Sequence, residues 1–244
     1  MNKIPKEYIS LNVNQQKAVL SSLDAHMVIA GPGSGKTHVI VNRIHYMIQY
    51  LKVDPRKILV ITFTKAAAQE MRTRFMQMND IALEQASQIS FGTFHAIFFK
   101  MLRRVYGYRV EHLIRDDEKF ILLQKMMAEM EIEDEDPNEF IENFLKEMAL
   151  MRNNLIQLKY YHPDGISQEV YHKMVTEYEK YKSRHNKIDF DDMLTHCYYM
   201  LSENPQILSY YQDLYQHILI DEFQDINRVQ YEIIKMLSNK NLTF

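Results

Sequence analysis

The chain has 244 residues, 46% of them hydrophobic, enough for one large domain or two small ones with real cores, so a globular protein follows. A formal net charge of −3 excludes a global basic field for a polyanionic partner, and any nucleic-acid contact must be local. The single cysteine, Cys197, excludes an intrachain disulfide and a Cys-rich zinc site, and it fits a reducing compartment. The first residues, MNKIPKEYISLNVNQQ, carry no apolar core of signal-peptide type. No later run reaches the roughly 18 to 20 apolar residues of a membrane span, so a cytoplasmic protein with no membrane partner is expected.

Residues 27–30, MVIA, form the first short apolar run with β-branched character and are predicted to be a strand. It leads into AGPGSGKT, a loop of small residues whose backbone N–H groups can close around phosphate oxygens, and then into the helical pattern HVIVNRIHYMIQYL. The expected nucleotide-binding set runs from Ala30 through Gly31, Pro32, Gly33, Ser34, Gly35, Lys36 and Thr37 to His38. Lys36 can reach the β- and γ-phosphates, and Thr37 can ligand a Mg²⁺ ion that accompanies ATP. The usual pattern opens with Gly where this chain has Ala30, a variant that leaves the cradle intact.

Similar runs recur at residues 58–63, 89–91 and 217–220, each followed by a helical pattern. That alternation predicts an α/β fold in which helices flank a parallel sheet. Between Phe94 and Met200 the pattern changes. Four segments carry apolar residues at helical spacing (HAIFFKMLRRVY, DDEKFILLQKMMAEM, PNEFIENFLKEMALMRNN and SQEVYHKMVTEYEKYKSRH), and no convincing strand appears, which predicts an all-helical insertion. Gly107, residues 131–137 (EIEDEDP) and residues 161–165 (YHPDG) mark its linkers. The 16 Met and 16 Tyr fall mostly at helical core spacing and read as packing.

Two basic runs lie in this region. Lys100, Arg103, Arg104 and Arg109, interleaved with Tyr106 and Tyr108, read first as a solvated face, with contact to a nucleic-acid backbone as the alternative; Lys180, Lys182, Arg184 and Lys187 read the same way. Asp134, Asp136 and Asn138 imitate the start of a calcium loop, but the sixth position is Glu139 rather than Gly and the twelfth is Leu145 rather than an acid. No structural metal is expected.

The run at 217–220 ends in Asp221 and Glu222. Adjacent acids alone are commonly a solvated strand end. Combined with the phosphate loop, they predict a strand presenting Asp221 to hydrated Mg²⁺ and Glu222 to an attacking water as general base. Beyond a further helical pattern, residues 242–244 look like the start of another strand.

Taken in order, these segments resemble superfamily 1 DNA helicases of the UvrD/Rep/PcrA type. LNVNQQKAV (residues 11–19) is similar to that family's adenine-recognising motif, which would give Gln15 the bidentate contact to the base. ITFTKAAAQEMRTR (61–74) and GTFHAIFFKMLR (92–103) resemble its single-strand-binding motifs, IDFDDML (188–194) the segment re-entering the motor domain, and IDEFQD with a downstream QY completes the series. The resemblance covers almost all of the α/β part. Where the family usually reads TFTNKAA, this chain has Thr62, Phe63, Thr64, Lys65, Ala66, Ala67 and Ala68, so a cation is kept but displaced by one position.

The resemblance implies a RecA-like motor subdomain over residues 1–96 and 188–244, with a helical subdomain over 97–187. It assigns catalysis to Lys36, Asp221, Glu222 and Gln224, the last sensing the γ-phosphate, and Mg²⁺ to Thr37 and Asp221. Phe63, Thr64, Lys65, Thr93 and His95 would meet single-stranded DNA, Phe63 by stacking unless it is simply buried at its strand end. The implied activity is that of a 3′–5′ DNA helicase acting on single strands or 3′-tailed duplexes, in DNA repair among other roles. A second motor domain in the same polypeptide would bring arginines worth about 10³ to 10⁵ in rate, so these 244 residues alone are expected to be inactive or very weak. Two alternatives remain at this point: the ATPase part of a helicase–nuclease subunit of RecB or AddA type, and a stand-alone nucleotide- or DNA-binding module without motor activity.

Overall fold

The computed structural model describes residues 5–22, 24–31, 33–78 and 83–238, together with the backbone of 242–243. Its helices are α1 (Val13–Val19), α2 (Lys36–Gln49), α3 (Lys65–Met76), α4 (Leu83–Gln88), α5 (Phe94–Tyr106), α6 (Asp116–Glu129), α7 (Pro137–Asn153), α8 (Gln168–His185), α9 (Phe190–Glu203), α10 (Pro205–Leu214) and α11 (Arg228–Leu237). The strands are β1 (Ile58–Thr62), β2 (Ser90–Thr93), β3 (His217–Ile220) and β4 (Leu242–Thr243), all parallel, in the order β2-β1-β3-β4. This is the expected α/β architecture of a parallel sheet flanked by helices.

The sequence explains the sheet. All five residues of β1, ILVIT, and all four of β3, HILI, are buried, as required of strands covered on both faces, where alternation gives way to continuous apolar runs. Their register pairs Ile61 with Ile220 and Thr62 with Thr93. The carboxyl ends of three neighbouring strands are therefore level. One side of the sheet is packed by Val41, Ile44, Met47 and Ile48 of α2 and by Met71 and Phe75 of α3.

Contacts divide the chain into two compact units, residues 1–96, 204–226 and 234–244 in one, and residues 97–203 and 227–233 in the other. The second unit is helical apart from a single parallel bridge between Leu113 and Ile188. Its core of Phe144, Met148, Tyr171, Met174 and Tyr178 follows the helical spacing of α7 and α8.

Two expectations are corrected. Residues 27–30 are not a strand: they join no ladder, and Met27 and Ile29 are 62% and 91% exposed. β-branched residues favour a pleated backbone but cannot supply a ladder partner. Lys182, read as part of a solvated basic run, is buried, and its ammonium contacts Asp192 Oδ2 at 2.7 Å and Asp189 Oδ2 at 3.3 Å. Of the end strand expected over 242–244, the first two residues form β4, and Phe244 lies outside the described residues.

Candidate active site

The loop before α2 is built by backbone conformation. Gly33 and Gly35 have φ of 72° and 84°, in the left-handed region that Gly enters without steric cost. Ser34 N donates to Gly31 O at 3.3 Å, closing the turn, and Pro32 lies outside the described residues. Gly35 is the N-cap of α2 and offers no side-chain cap, which leaves the first N–H groups of the helix, at Lys36, Thr37 and His38, for an anion. A side chain at Gly35 would also crowd Gln15, since a Cβ there would lie 3.1 Å from Gln15 Nε2.

Opposite the loop, β3 delivers the two acids with different backbone holds. Asp221 N still donates to Ile61 O at 3.0 Å, so the ladder reaches one residue past the strand. Glu222 then adopts φ 55°, in the left-handed region that a non-Gly residue enters at a steric cost. That turn aims its carboxylate at the loop: Lys36 Nζ lies 2.8 Å from Oε1 and 2.9 Å from Oε2, and Gln224 Nε2 donates to Oε2 at 2.7 Å. These hydrogen bonds, Lys36 first, hold the Glu222 carboxyl below the usual carboxylate range, and Glu222 in turn raises the Lys36 ammonium. Burial, followed by repulsion from Glu222, pushes the Asp221 carboxyl up. Asp221 is thus a carboxylate short of positive charge, which suits a divalent cation.

Gln15 comes to the same place from α1. Its Oε1 accepts from Asn12 N at 3.0 Å, and Asn12 Oδ1 accepts from Gln15 N at 2.9 Å, a reciprocal capping box that starts the helix. Gln15 Nε2 donates to Ser34 O at 3.0 Å. Both ends of the amide are therefore engaged, and contact with a base requires it to exchange partners. A cavity of about 660 Å³ is lined by Gln15, Ala30, Ser34, Lys36, Asp221 and Glu222 among others, within the range of small-molecule sites. Left-handed glycines, uncapped helix N–H groups, a lysine, a hydroxyl and a cation-seeking acid together fit a nucleoside triphosphate with Mg²⁺. His38 is exposed, and its Nε2 is 3.3 Å from Asn42 Nδ2.

The residues expected to meet DNA stand at the level ends of β1 and β2. Thr62 Oγ1 donates to Thr64 O at 2.9 Å, shaping a turn that leaves Phe63 38% exposed with its ring edge-on to Phe94 at 5.6 Å. Simple burial of Phe63 is ruled out by that exposure. Thr64 and Thr93 hydroxyls accept from Ala67 N and Ala96 N, capping helices while keeping their own protons to donate. Lys65 is exposed at the start of α3. His95 is half-buried and its pKa is lowered to about 4 by burial, so it is neutral at pH 7 and offers hydrogen bonds rather than charge.

Sequence reasoning missed a buried ion network in the helical unit. Arg152 of α7 reaches Asp189 Oδ2 at 2.8 Å and Asp192 Oδ1 at 3.5 Å and also pairs with Glu179. Asp189 and Asp192 cap one another's backbone N–H groups at 2.7 and 2.9 Å, opening α9. The signal was the D-x-x-D spacing in IDFDD, which is capping-box spacing.

The model of the UvrD/REP helicase N-terminal domain family matches residues 11–244. The chain is similar to a "Probable DNA helicase II homolog" of Mycoplasma genitalium, 36% identical over 245 residues that cover 95% of this chain and 34% of the relative. It is also similar to the ATP-dependent DNA helicase PcrA of Staphylococcus epidermidis, 32% identical over 249 residues covering 98% and 33%. The chain thus spans about a third of the length of these curated relatives.

Proposed function

Because the chain belongs to the UvrD/REP helicase N-terminal domain family, we propose that it is the ATP-binding motor portion of an ATP-dependent 3′–5′ DNA helicase. The observation that carries this reading is the pairing of Lys36 with Glu222, 186 positions away, beside Asp221 and Gln224. On this reading residues 1–96 and 188–244 form the motor subdomain and 97–187 its helical insertion, in a cytoplasmic protein.

Lys36 leaves Glu222 and neutralises phosphate oxygens, while the N–H groups at the start of α2 bind the same anion. Thr37 and Asp221 would hold Mg²⁺, a cation that needs only one or two protein oxygens beside phosphate and water, and which would supply positive charge against the transferring phosphates. Glu222, relieved of Lys36, accepts the proton of the attacking water, and Gln224, two residues on, follows the state of that carboxylate. Phe63 stacks on a base, and Thr64, Lys65, Thr93 and His95 hold backbone or base atoms without reading sequence.

The test is DNA-stimulated ATP hydrolysis and unwinding of a 3′-tailed duplex by the full-length protein. Both are expected to vanish in Lys36→Ala. Hydrolysis that survives that change, or unwinding that prefers a 5′ tail, overturns the proposal.

A further inference from the structure

Among the described residues Arg43 is the largest fully buried side chain, 2% exposed, and it makes no ion pair with any of them. Its Nη1 donates to Val19 O at 2.9 Å and Ser21 O at 2.6 Å, its Nη2 to Ser22 O, and its Nε is buried without an acceptor. Burial lowers its pKa. A buried guanidinium compensated only by carbonyls is expensive, and these carbonyls are particular ones. Val19 is the last residue of α1, so Arg43 satisfies the orphan carbonyl at that helix end and sits at the negative pole of its dipole.

Helix α1 needs the help. With seven residues it is too short to persist alone, and it is fastened at one end by the Asn12–Gln15 capping box. At the other end Val19 packs with Tyr8 and Leu11 against Val39 and Tyr46 of α2. Val39, Arg43 and Tyr46 follow i, i+4, i+7 spacing, one face of α2, and that helix begins at Lys36. The guanidinium is thus the polar part of the joint between the helix that carries Gln15 and the helix that opens at the phosphate loop.

We propose that Arg43 is a positioning residue of the nucleotide site: by fixing α1 on α2 it sets where the Gln15 amide stands against the phosphate loop, and so governs selectivity for the base. This rests on the reading of Gln15 as the base-recognising residue. The phosphate cradle belongs to the loop and α2 and does not depend on it.

The experiment measures binding of ATP, UTP and inorganic tripolyphosphate to the full-length protein and to its Arg43→Met, Arg43→Lys and Gln15→Ala variants, with thermal melting as a check of folding. Arg43→Met is expected to lower the ATP-over-UTP preference by about three- to tenfold, the worth of one hydrogen bond, with tripolyphosphate affinity unchanged. Arg43→Lys, which reaches fewer carbonyls, falls between, and it carries the test if the methionine variant does not fold. An unchanged preference in a folded Arg43 variant, or loss of tripolyphosphate and ATP affinity in equal proportion, overturns the proposal. If Gln15→Ala itself leaves the preference unchanged, the reading of Gln15 fails and takes the proposal with it. If Gln15→Ala lowers the preference and the Arg43 variants do not, only the role of Arg43 falls.

Discussion

Replacing Glu222 by Gln is expected to move binding and hydrolysis in opposite directions. The Glu222 carboxylate holds Lys36 Nζ at 2.8 and 2.9 Å, so before phosphate can use that ammonium the pair must open. The amide of Glu222→Gln no longer competes as an anion. The two side chains are 30% and 35% exposed, so the gain is that of a solvent-screened pair, up to about fivefold in Kd for ATP and smaller as salt rises. Hydrolysis, by contrast, loses its general base and falls about 10²- to 10⁴-fold. Because Lys36 and then Gln224 keep Glu222 below the usual carboxylate range, the native pair stays charged and closed at neutral pH. Calorimetric titration at two salt concentrations and steady-state hydrolysis with single-stranded DNA read the two effects. A variant that hydrolyses at the native rate, or binds ATP as poorly as Lys36→Ala, refutes the roles given to this pair.

In the helical unit, Asp189→Asn leaves Arg152 and Lys182 short of a fully buried counter-charge. Burial opposes ionisation of Asp189, but the two cations hold its carboxyl far below the usual range. Removing one partner of such a cluster costs about 3 to 5 kcal/mol, read by urea denaturation; a loss under about 1 kcal/mol would mean that the cluster adds nothing over a neutral one. A different signature attaches to His217, whose pKa is lowered from 6.5 to about 4 by burial and then by Arg43. The unfolded chain protonates this ring first, so its contribution is complete above pH 6.5 and is lost as pH falls toward about 4. At most about 3 kcal/mol goes with it. His95 behaves alike, so His217→Phe should reduce the slope of stability against pH in that window rather than abolish it. A slope that does not change would show that His217 titrates alike in the folded and unfolded chain.

The sheet was legible because a parallel strand buried on both faces has few ways to be written: ILVIT and HILI could hardly be anything else. The phosphate loop was legible for a similar reason, since its glycines mark backbone angles and its Lys-Thr pair marks chemistry. Residues 27–30 misled because strand formation is a pairing event, and composition does not name the partner. Lys182 misled because its neighbours in sequence, Lys180 and Arg184, are solvent-facing, while its two buried acids, Asp189 and Asp192, come from beyond the next turn of chain. Arg43 passed unremarked inside an ordinary amphipathic helix, because carbonyl acceptors leave no trace in side-chain sequence.

The strand order β2-β1-β3 bears on how a motor of this kind could transmit force. Asp221 stands just past the end of β3, Thr62 at the end of β1 and Thr93 at the end of β2, with the register keeping all three level and Phe63 one residue beyond Thr62. Adjacent strands are about 4.8 Å apart, so the acid beside the phosphate loop and the hydroxyl at the far strand lie two ladder spacings, about 10 Å, from each other. Over that span a hydrogen-bonded sheet is a stiff plate. On the proposed reading, the ladder itself joins the phosphate end of β3 to the DNA end of β2, so that coupling between them would need neither a hinge nor a relay of side chains.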